Sequence, residues 1–233
     1  MTGPGPAPPE SVPPAARIEA FSDAVFAFAA TLLVVALEVP ATIGELQLAL
    51  YGFVPFALSF GALVMIWSVH RSFFRRFPLG DRTTVLLNSC LLFVVLFYVY
   101  PLKFLSRGIA AMFFGNQVGA GGRVDSYADL AKLFIWYGAG FAAIFLFVAW
   151  LYRHAARHAP ESGPGSAGRQ RARFLSRHYG LFTLVGLFSV ALAATGTGLR
   201  IALPGWIYGL LGPLCWLHGT VDGRRQRRRT AGD

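Results

Sequence analysis

Charged residues are scarce in this chain, and acidic residues are scarcer than basic ones. Asp, Glu, Lys and Arg make up 14% of the 233 residues, against 55% hydrophobic residues, whereas a soluble globular domain carries roughly 25% charged residues. The deficit excludes an ordinary soluble fold and indicates a polytopic membrane protein. The net charge of +10 does not indicate a nucleic-acid groove, because the basic residues lie in short clusters between apolar runs.

Cysteine is almost absent as well. Cys90 and Cys215 both fall within apolar runs, which predicts small packing residues and no disulfide. The histidines do not group as metal ligands do, so we expect no metal site and no cofactor; they are His70, His154, His158, His178 and His218. The run GPGSAG at 163–168 lies in a polar linker and not in an apolar span, so it is no protease nucleophile, and we expect no enzyme.

The chain contains several long runs of apolar residues. A run of 22 residues makes a helix about 33 Å long, which is enough to cross a bilayer. The sequence therefore predicts an all-α integral membrane protein with six transmembrane helices, at about 18–39, 46–70, 84–106, 130–152, 174–197 and 201–221. The run TGTG at 195–198 reads as a tight turn between the last two helices, not as a carbonyl selectivity filter.

The two ends of the chain differ from this transmembrane domain, which we place at 17–222. Residues 1–16 are rich in Pro, Gly and Ala, and they predict a disordered tail and not a signal peptide. Residues 223–233 contain RRQRRR and predict a basic cytoplasmic tail that lies against anionic lipid headgroups. We expect no nucleic acid as a partner.

The distribution of Lys and Arg predicts the orientation. With six spans, both termini, the 71–82 loop and the 153–177 loop lie on one side. That side carries 16 of the 21 Lys and Arg residues, and the other side carries 5. The positive-inside rule then places both termini in the cytoplasm.

The first span carries polar residues that a membrane helix does not need. With 100° per residue, a narrow apolar stripe contains Phe28, with Thr31 at its edge; its members are Arg17, Phe21, Ala24, Phe28, Leu32, Val35 and Val39. Asp23 lies about 140° from Phe28, and Glu19 lies opposite it, about 180° away. An unpaired charge at this depth costs several kcal/mol, so Asp23 needs partners.

Those partners are available at the same depth in the next two helices. Trp67 and His70 come near the inner end of the second helix, and Asn88 lies about as far into the third helix as Asp23 lies into the first. Side chains of this kind pair between membrane helices, so one interpretation is that they only hold the helices together. We expect the group to hold the first helix in place and not to line a path.

These residues resemble a known family. Arg-x-x-x-Phe-Ser-Asp at 17–23 followed by TLLVVALEVP, with the pair Trp67-x-x-His70 and with Asn88, is similar to the signature of the endosomal and lysosomal potassium channel family (transmembrane protein 175), bacterial six-helix branch. The resemblance implies a homotetramer in a bacterial inner membrane, with the first helices lining a central pore. It also implies a potassium-preferring monovalent cation channel without a carbonyl filter.

The resemblance also assigns roles to residues. It implies an apolar constriction at Phe28, where the family usually has Ile or Leu, with Leu32 and Val35 as further stripe positions and Leu32 as the alternative narrow point. Thr31 falls where the family has a pore hydroxyl. The implied network behind the pore helix consists of Arg17, Phe21, Ser22, Asp23, Trp67, His70 and Asn88.

Two alternatives stay open at the level of sequence. The stripe on the first helix also fits ordinary helix packing. A proton- or ion-coupled secondary transporter could use Glu19, Asp23 and His70 as a relay. Such a transporter is expected to contain two related halves with broken helices. The sequence of helices one to three shows no similarity to that of helices four to six.

Overall fold

The computed structural model describes residues 13–35, 41–115, 124, 126–158 and 166–216, without the side chains at 35, 48, 113 and 114. Helices form nearly all of this part of the chain. They are α1 (Pro14–Val35), α2 (Ile43–Tyr51), α3 (Phe53–Arg76), α4 (Arg82–Phe114), α5 (Tyr127–His158), α6 (Ser166–Ala194) and α7 (Leu203–Trp206). The predicted all-α architecture is confirmed for the described residues.

Four helical stretches among the described residues are long and apolar enough to cross a membrane. They are Ile43–Arg76, Arg82–Met112, Tyr127–His158 and Ser166–Ala194, of 34, 31, 32 and 29 residues. At 1.5 Å per residue even the shortest is about 44 Å long, which exceeds the roughly 30 Å of a hydrocarbon core. Helix α1 is not among the four and carries Arg17, Glu19 and Asp23 in its first half. The chain is thus multi-pass.

The first two predicted helices have different bounds in the structure. Helix α1 already begins at Pro14, so the last residues of the predicted 1–16 tail are helical, and its predicted end at 39 lies outside the described residues. The predicted helix 46–70 consists of α2 and α3, separated at Gly52, and it continues to Arg76. Pro55 explains the break, because it lacks the N–H that would bond the carbonyl of Tyr51.

The next three helices extend past their predicted bounds at every end except the last, where α6 ends at Ala194. The predicted bounds 84–106, 130–152 and 174–197 become 82–114, 127–158 and 166–194. The hydrophobic pattern stops at the first charged residues, but a helix continues into the headgroup layer because the long stems of Arg side chains can lie along it. Sequence hydropathy therefore underestimates the length of these helices.

Asp81 caps the start of α4 and also ties it to α5. Its carboxylate accepts hydrogen bonds from the N–H of Thr83 at 3.2 Å, the hydroxyl of Thr84 at 2.6 Å and Nε2 of His154 at 2.8 Å. Burial acts to raise the pKa of Asp81, but the bond from Thr84 and the nearby His154 outweigh it, and the pKa lies below its ordinary value. An N-cap carboxylate is favoured at this position by the helix dipole.

The sixth predicted helix, 201–221, is the largest departure from the sequence prediction. The chain forms a 3₁₀ turn at Leu199–Ile201, then α7, then a 3₁₀ turn at Ile207–Leu210, with helical residues to 216. Residues 195–198 form the predicted turn, with Gly198 at φ 69°. Glycine and proline recur from Pro204 to Pro213, and both residues destabilise a regular α-helix.

Helices α5 and α6 approach each other through glycine. A Cβ on Gly138 would lie 2.8 Å from Cγ2 of Val190 and 3.1 Å from the carbonyl oxygen of Gly186. A Cβ on Gly186 would lie 3.0 Å from Cβ of Ala142 and 3.1 Å from the carbonyl oxygen of Gly138. Small residues permit such close backbone contact between membrane helices, and this contact holds the α5–α6 hairpin together.

We expect Gly186→Val to destabilise the protein by about 1–3 kcal/mol, because the added atoms would push α5 away from α6. Gly180→Val is the matched control, since a Cβ at Gly180 meets nothing within 4 Å on the same helix. The measurement is the thermal unfolding midpoint of both variants in detergent. Equal midpoints would show that the close contact of the two helices does not contribute to stability.

Candidate functional site: the first helix and the polar network behind it

Helix α1 has one buried face and one exposed face. The buried face consists of Ser22, Phe26, Ala29 and Leu33, each at most 5% exposed, and it packs against α3 and α4. On the other face, Phe21 is 61% exposed and Phe28 is 57% exposed. The large apolar side chains of this second face contact nothing within the single chain that buries them.

The exposed face is turned relative to the predicted stripe. With 100° per residue and Phe28 at zero, the exposed residues of the last three turns run from about +20° at Phe21 to about −120° at Val34. Thr31, at about −60°, lies near the middle of this arc and not at its edge. Leu32, at about +40°, is partly buried against the core. The exposed arc is thus centred between Ala24 and Thr31.

The hydroxyl of Thr31 is bonded to its own helix. Its Oγ1 donates to the carbonyl oxygen of Phe28 at 2.7 Å while the side chain is exposed. A hydroxyl whose proton is used in this way still has lone pairs that can accept a hydrogen bond or face a cation. The bond also fixes where the oxygen lies on the exposed arc.

Behind the buried face, three side chains form a hydrogen-bonded chain across three helices. Nδ2 of Asn88 in α4 donates to Oγ of Ser22 at 2.9 Å, and Oδ1 of Asn88 lies 2.7 Å from Nε2 of His70 in α3. Oγ of Ser22 in turn donates to the carbonyl oxygen of Ile18 at 2.8 Å. All three side chains are at most 1% exposed, so these bonds are made in a low-dielectric interior where they are strong.

His70 is enclosed by aromatic rings. Its ring centroid lies 5.4 Å from that of Phe26 and 4.9 Å from that of Phe74. Since Asn88 uses its amide N–H on Ser22, its oxygen accepts from His70, which places the proton of His70 on Nε2. Nδ1 is buried and has no hydrogen-bond partner among the described residues, which an unprotonated nitrogen tolerates better than a buried N–H would.

Asp23 makes a separate contact with α3. Its Oδ1 accepts a hydrogen bond from the indole Nε1 of Trp67 at 2.7 Å. The guanidinium of Arg71 lies 5.2 Å from the centroid of the same indole, in cation–π geometry. The structure therefore brings together five of the seven residues assigned to the network, namely Ser22, Asp23, Trp67, His70 and Asn88.

The remaining predicted residues lie elsewhere. Arg17 and Phe21 are exposed and line a cavity of about 400 Å³ that also touches Asn88. Glu19, part of the relay considered from sequence, makes no hydrogen bond to any described residue. Val35 ends α1, and its side chain is outside the described set.

Lys103 makes a contact with α1 that the sequence did not predict. Its Nζ donates to the carbonyl oxygen of Leu33 at 2.8 Å, from α4 to the end of α1. The bond joins α4 to α1 two residues before the last described residue of α1, Val35. A single lysine within an apolar run was a signal for such a role.

The described side chains offer little to a resident metal. Within that part of the chain, no three His, Cys, Asp or Glu residues come together as a metal site requires. The buried polar groups behind α1 instead bond one another. These hydrogen bonds hold the buried face of α1 against α3 and α4, and the opposite face of α1 stays uncovered.

Comparison with known proteins found similarity over the part of the chain that contains these residues. A family model described as endosomal/lysosomal potassium channel TMEM175 matches residues 17–98. This range contains α1 from Arg17 onward, α2, α3 and the part of α4 that holds Asn88. A potassium channel of Marivirga tractuosa is 42% identical over 144 residues, covering 60% of this chain and 58% of that protein. The potassium channel Cha6605_3372 of Chamaesiphon minutus is 35% identical over 99 residues, covering 39% of this chain and 49% of that protein. The chain thus spans about half the length of these two relatives.

A solved structure matches over nearly the whole fold. The crystal structure of a variant of the potassium channel MtTMEM175, in complex with a nanobody–MBP fusion protein, superposes with a TM-score of 0.74 at 31% identity, covering 89% of this chain and 93% of that one. Fold and site together define a multi-pass helical membrane protein with a braced and half-uncovered first helix. The chain belongs to the TMEM175 family.

We expect Asp23→Ala to lower the thermal unfolding midpoint, because the half-buried indole N–H of Trp67 would lose its acceptor at a cost of about 1–3 kcal/mol. Glu19→Ala is the matched control, as it removes a carboxylate one turn earlier on α1 that bonds no described residue. The midpoints of the two variants are compared in the same detergent. An Asp23→Ala midpoint equal to that of wild type would contradict a bracing role for this contact.

Proposed function

We propose that the protein is a potassium-preferring monovalent cation channel, built as a homotetramer whose first helices line a central pore. The relatives are named potassium channels. The observation that carries the proposal is the two-faced α1, which is held by hydrogen bonds on one face and uncovered on the other. A pore helix needs both properties, because it has to keep one orientation while part of it faces an axis.

The exposed arc of α1 suits close association with copies of itself. Ala16, Ala20, Ala24 and Ala27 are all exposed, and small residues at such spacing let membrane helices approach closely. Phe21 and Phe28 project from the same arc. Four such helices around an axis would pack through their alanines and direct the aromatic rings toward the centre.

Phe28 is the proposed constriction. Phenylalanine rings that meet on a four-fold axis offer no polar atom to replace the hydration shell of an ion. Such a constriction excludes water, and ions therefore do not pass through it. Leu32 is partly buried against the core in the single chain, which favours Phe28 over Leu32 as the narrowest point. Val35, one turn beyond Leu32, is the third apolar position of the proposed constriction.

Thr31 is the proposed source of selectivity. It lies near the middle of the exposed arc with its proton bonded to the Phe28 carbonyl, so its oxygen is available to a cation that has lost water. We propose no carbonyl filter. Residues 195–198, which resemble a filter in composition, form the turn after α6 and lie outside the helix that faces the proposed pore.

The coupled transporter is the alternative function. A relay through Glu19, Asp23 and His70 requires that protons reach each group. His70 is 1% exposed between two phenylalanines and bonds Asn88, while Asp23 bonds Trp67. These are two separate bonded groups without Glu19, an arrangement that supports bracing over proton transfer.

The protein is proposed to reside in the bacterial inner membrane with both termini in the cytoplasm, where the basic tail 223–233 would meet anionic headgroups. The tail and residues 1–12 lie outside the described residues. The described clusters of arginine at the ends of α3, α5 and α6 support this orientation.

The experiment that tests the proposal is ion flux into liposomes that contain the purified protein. Flux should follow a potassium gradient, exceed the sodium flux and need no counter-substrate, and empty liposomes are the control. Thr31→Val should bring potassium and sodium fluxes closer together while leaving the protein folded, because only the hydroxyl is lost. Flux that requires a proton or a second substrate on the other side would establish the transporter instead.

The position of the constriction is tested by comparing Phe28→Ala with Leu32→Ala. Removing the ring should widen and partly wet the pore, so Phe28→Ala is expected to raise the single-channel current and weaken discrimination between ions. Leu32→Ala, about 40° away on the helix, should have the smaller effect. Planar bilayers under equal potassium gradients provide the measurement. A larger current in Leu32→Ala than in Phe28→Ala would move the constriction one turn along α1.

A further inference from the structure

Five arginines converge on one cavity between the end of α5 and the start of α6. The cavity measures about 360 Å³, which is within the size range of small-ligand sites. Its lining consists of Arg153, Ala156, Arg157, Arg169, Arg173, Ser176 and Arg177. A preference for cytoplasmic basic residues explains arginines anywhere in this segment, but it does not explain why their side chains surround a single space.

The cavity lies at the boundary of the apolar layer. Between Lys132 and Arg153 the chain has 20 residues without a charge, which at 1.5 Å per residue is about the 30 Å thickness of a bilayer core. On α6, Arg177 is the last charged residue before Arg200. The arginines therefore lie where the headgroups of a bilayer begin.

Four of the five arginines that line this cavity carry a charge that no described acidic residue balances. Among the described residues, no acidic side chain forms an ion pair with Arg153, Arg157, Arg173 or Arg177. In the sequence from 153 to 177 there are six arginines and one acid, Glu161, which leaves a net charge of +5. Like charges that share one cavity repel each other, so an anion bound among them would stabilise the arrangement.

We propose that this cavity is a phosphate-binding site, taking either the phosphate of an anionic lipid headgroup or a soluble phosphate. The guanidinium group donates in a fixed fork that matches two phosphate oxygens, and several such forks can hold one phosphate from different directions. The hydroxyl of Ser176 is occupied as a donor to the carbonyl of Ala149 at 2.9 Å. The arginine side chains would therefore provide the hydrogen-bond donors to the phosphate.

The position of the site gives its occupation a structural consequence. Arginines 153 and 157 belong to the last turns of α5, and Arg169, Arg173 and Arg177 belong to the first turns of α6. A phosphate bound by both groups would link α5 and α6 at the end where the chain connects the two helices. Binding should therefore raise the thermal unfolding midpoint of the whole chain.

The test compares two double variants of the full-length protein that remove the same charge. Arg157→Gln with Arg173→Gln changes the cavity, whereas Arg75→Gln with Arg171→Gln changes arginines of α3 and α6 that do not line it. The probes are phosphatidylglycerol, added to micelles of a non-ionic detergent without phosphate, and soluble pyrophosphate. Bound lipid is counted by native mass spectrometry, and the unfolding midpoint is followed against probe concentration.

We expect the cavity variant to bind the effective probe roughly tenfold or more weakly than wild type, and the control variant to bind it within a factor of about two. Stabilisation by phosphatidylglycerol alone identifies a lipid headgroup, and stabilisation by pyrophosphate identifies a soluble anion. Arg157→Lys with Arg173→Lys keeps the charge without the fork and should bind with intermediate strength. Equal losses in both double variants, or no stabilisation of wild type by either probe, would overturn the proposal. The readout is binding, so it does not depend on ion conduction.

Discussion

The hydrogen-bonded chain from Ser22 through Asn88 to His70 sets the orientation of the first helix, and the remaining features of the site depend on that orientation. Its members come from three helices and are at most 1% exposed. A rotation of α1 would break bonds that cannot be replaced by water at that depth. Because Ser22 faces inward, Phe21, Phe28 and Thr31 face outward. The bracing and the uncovered arc are therefore two consequences of one constraint.

The sequence predicted the partners of this network better than it predicted the geometry of the helix face. Polar residues in apolar runs must pair, so Asp23, Trp67, His70 and Asn88 could be grouped by depth alone. The position of the exposed arc could not be read in the same way, since a helical wheel does not show which neighbours cover Leu32. That needs the tertiary packing of α1 on α3 and α4.

Some helices are interrupted or end at other residues than the hydropathy of the sequence predicts, because backbone chemistry acts independently of hydropathy. The second span was predicted as one helix because its side chains are continuously apolar, yet Pro55 separates α2 from α3 through a missing N–H. The described part of the sixth predicted helix is divided into 3₁₀ and α-helical segments, because glycine and proline recur through this apolar run. The contact between Lys103 and Leu33 was missed because a lysine in an apolar run was counted only as a loop charge.

Lys103 and the polar network together define how α1 can move. The network holds α1 at Ser22 and Asp23, and Lys103 holds the carbonyl of Leu33 about 16 Å further along the helix axis. Two anchors that far apart restrict rotation and tilt more strongly than either one alone. Phe28 lies midway between them, so its ring is placed by the backbone between two fixed points and not by contacts of its own. A side chain held in this way can change in size without loss of the helix, so substitutions at Phe28 should alter the exposed face of α1 without unfolding it.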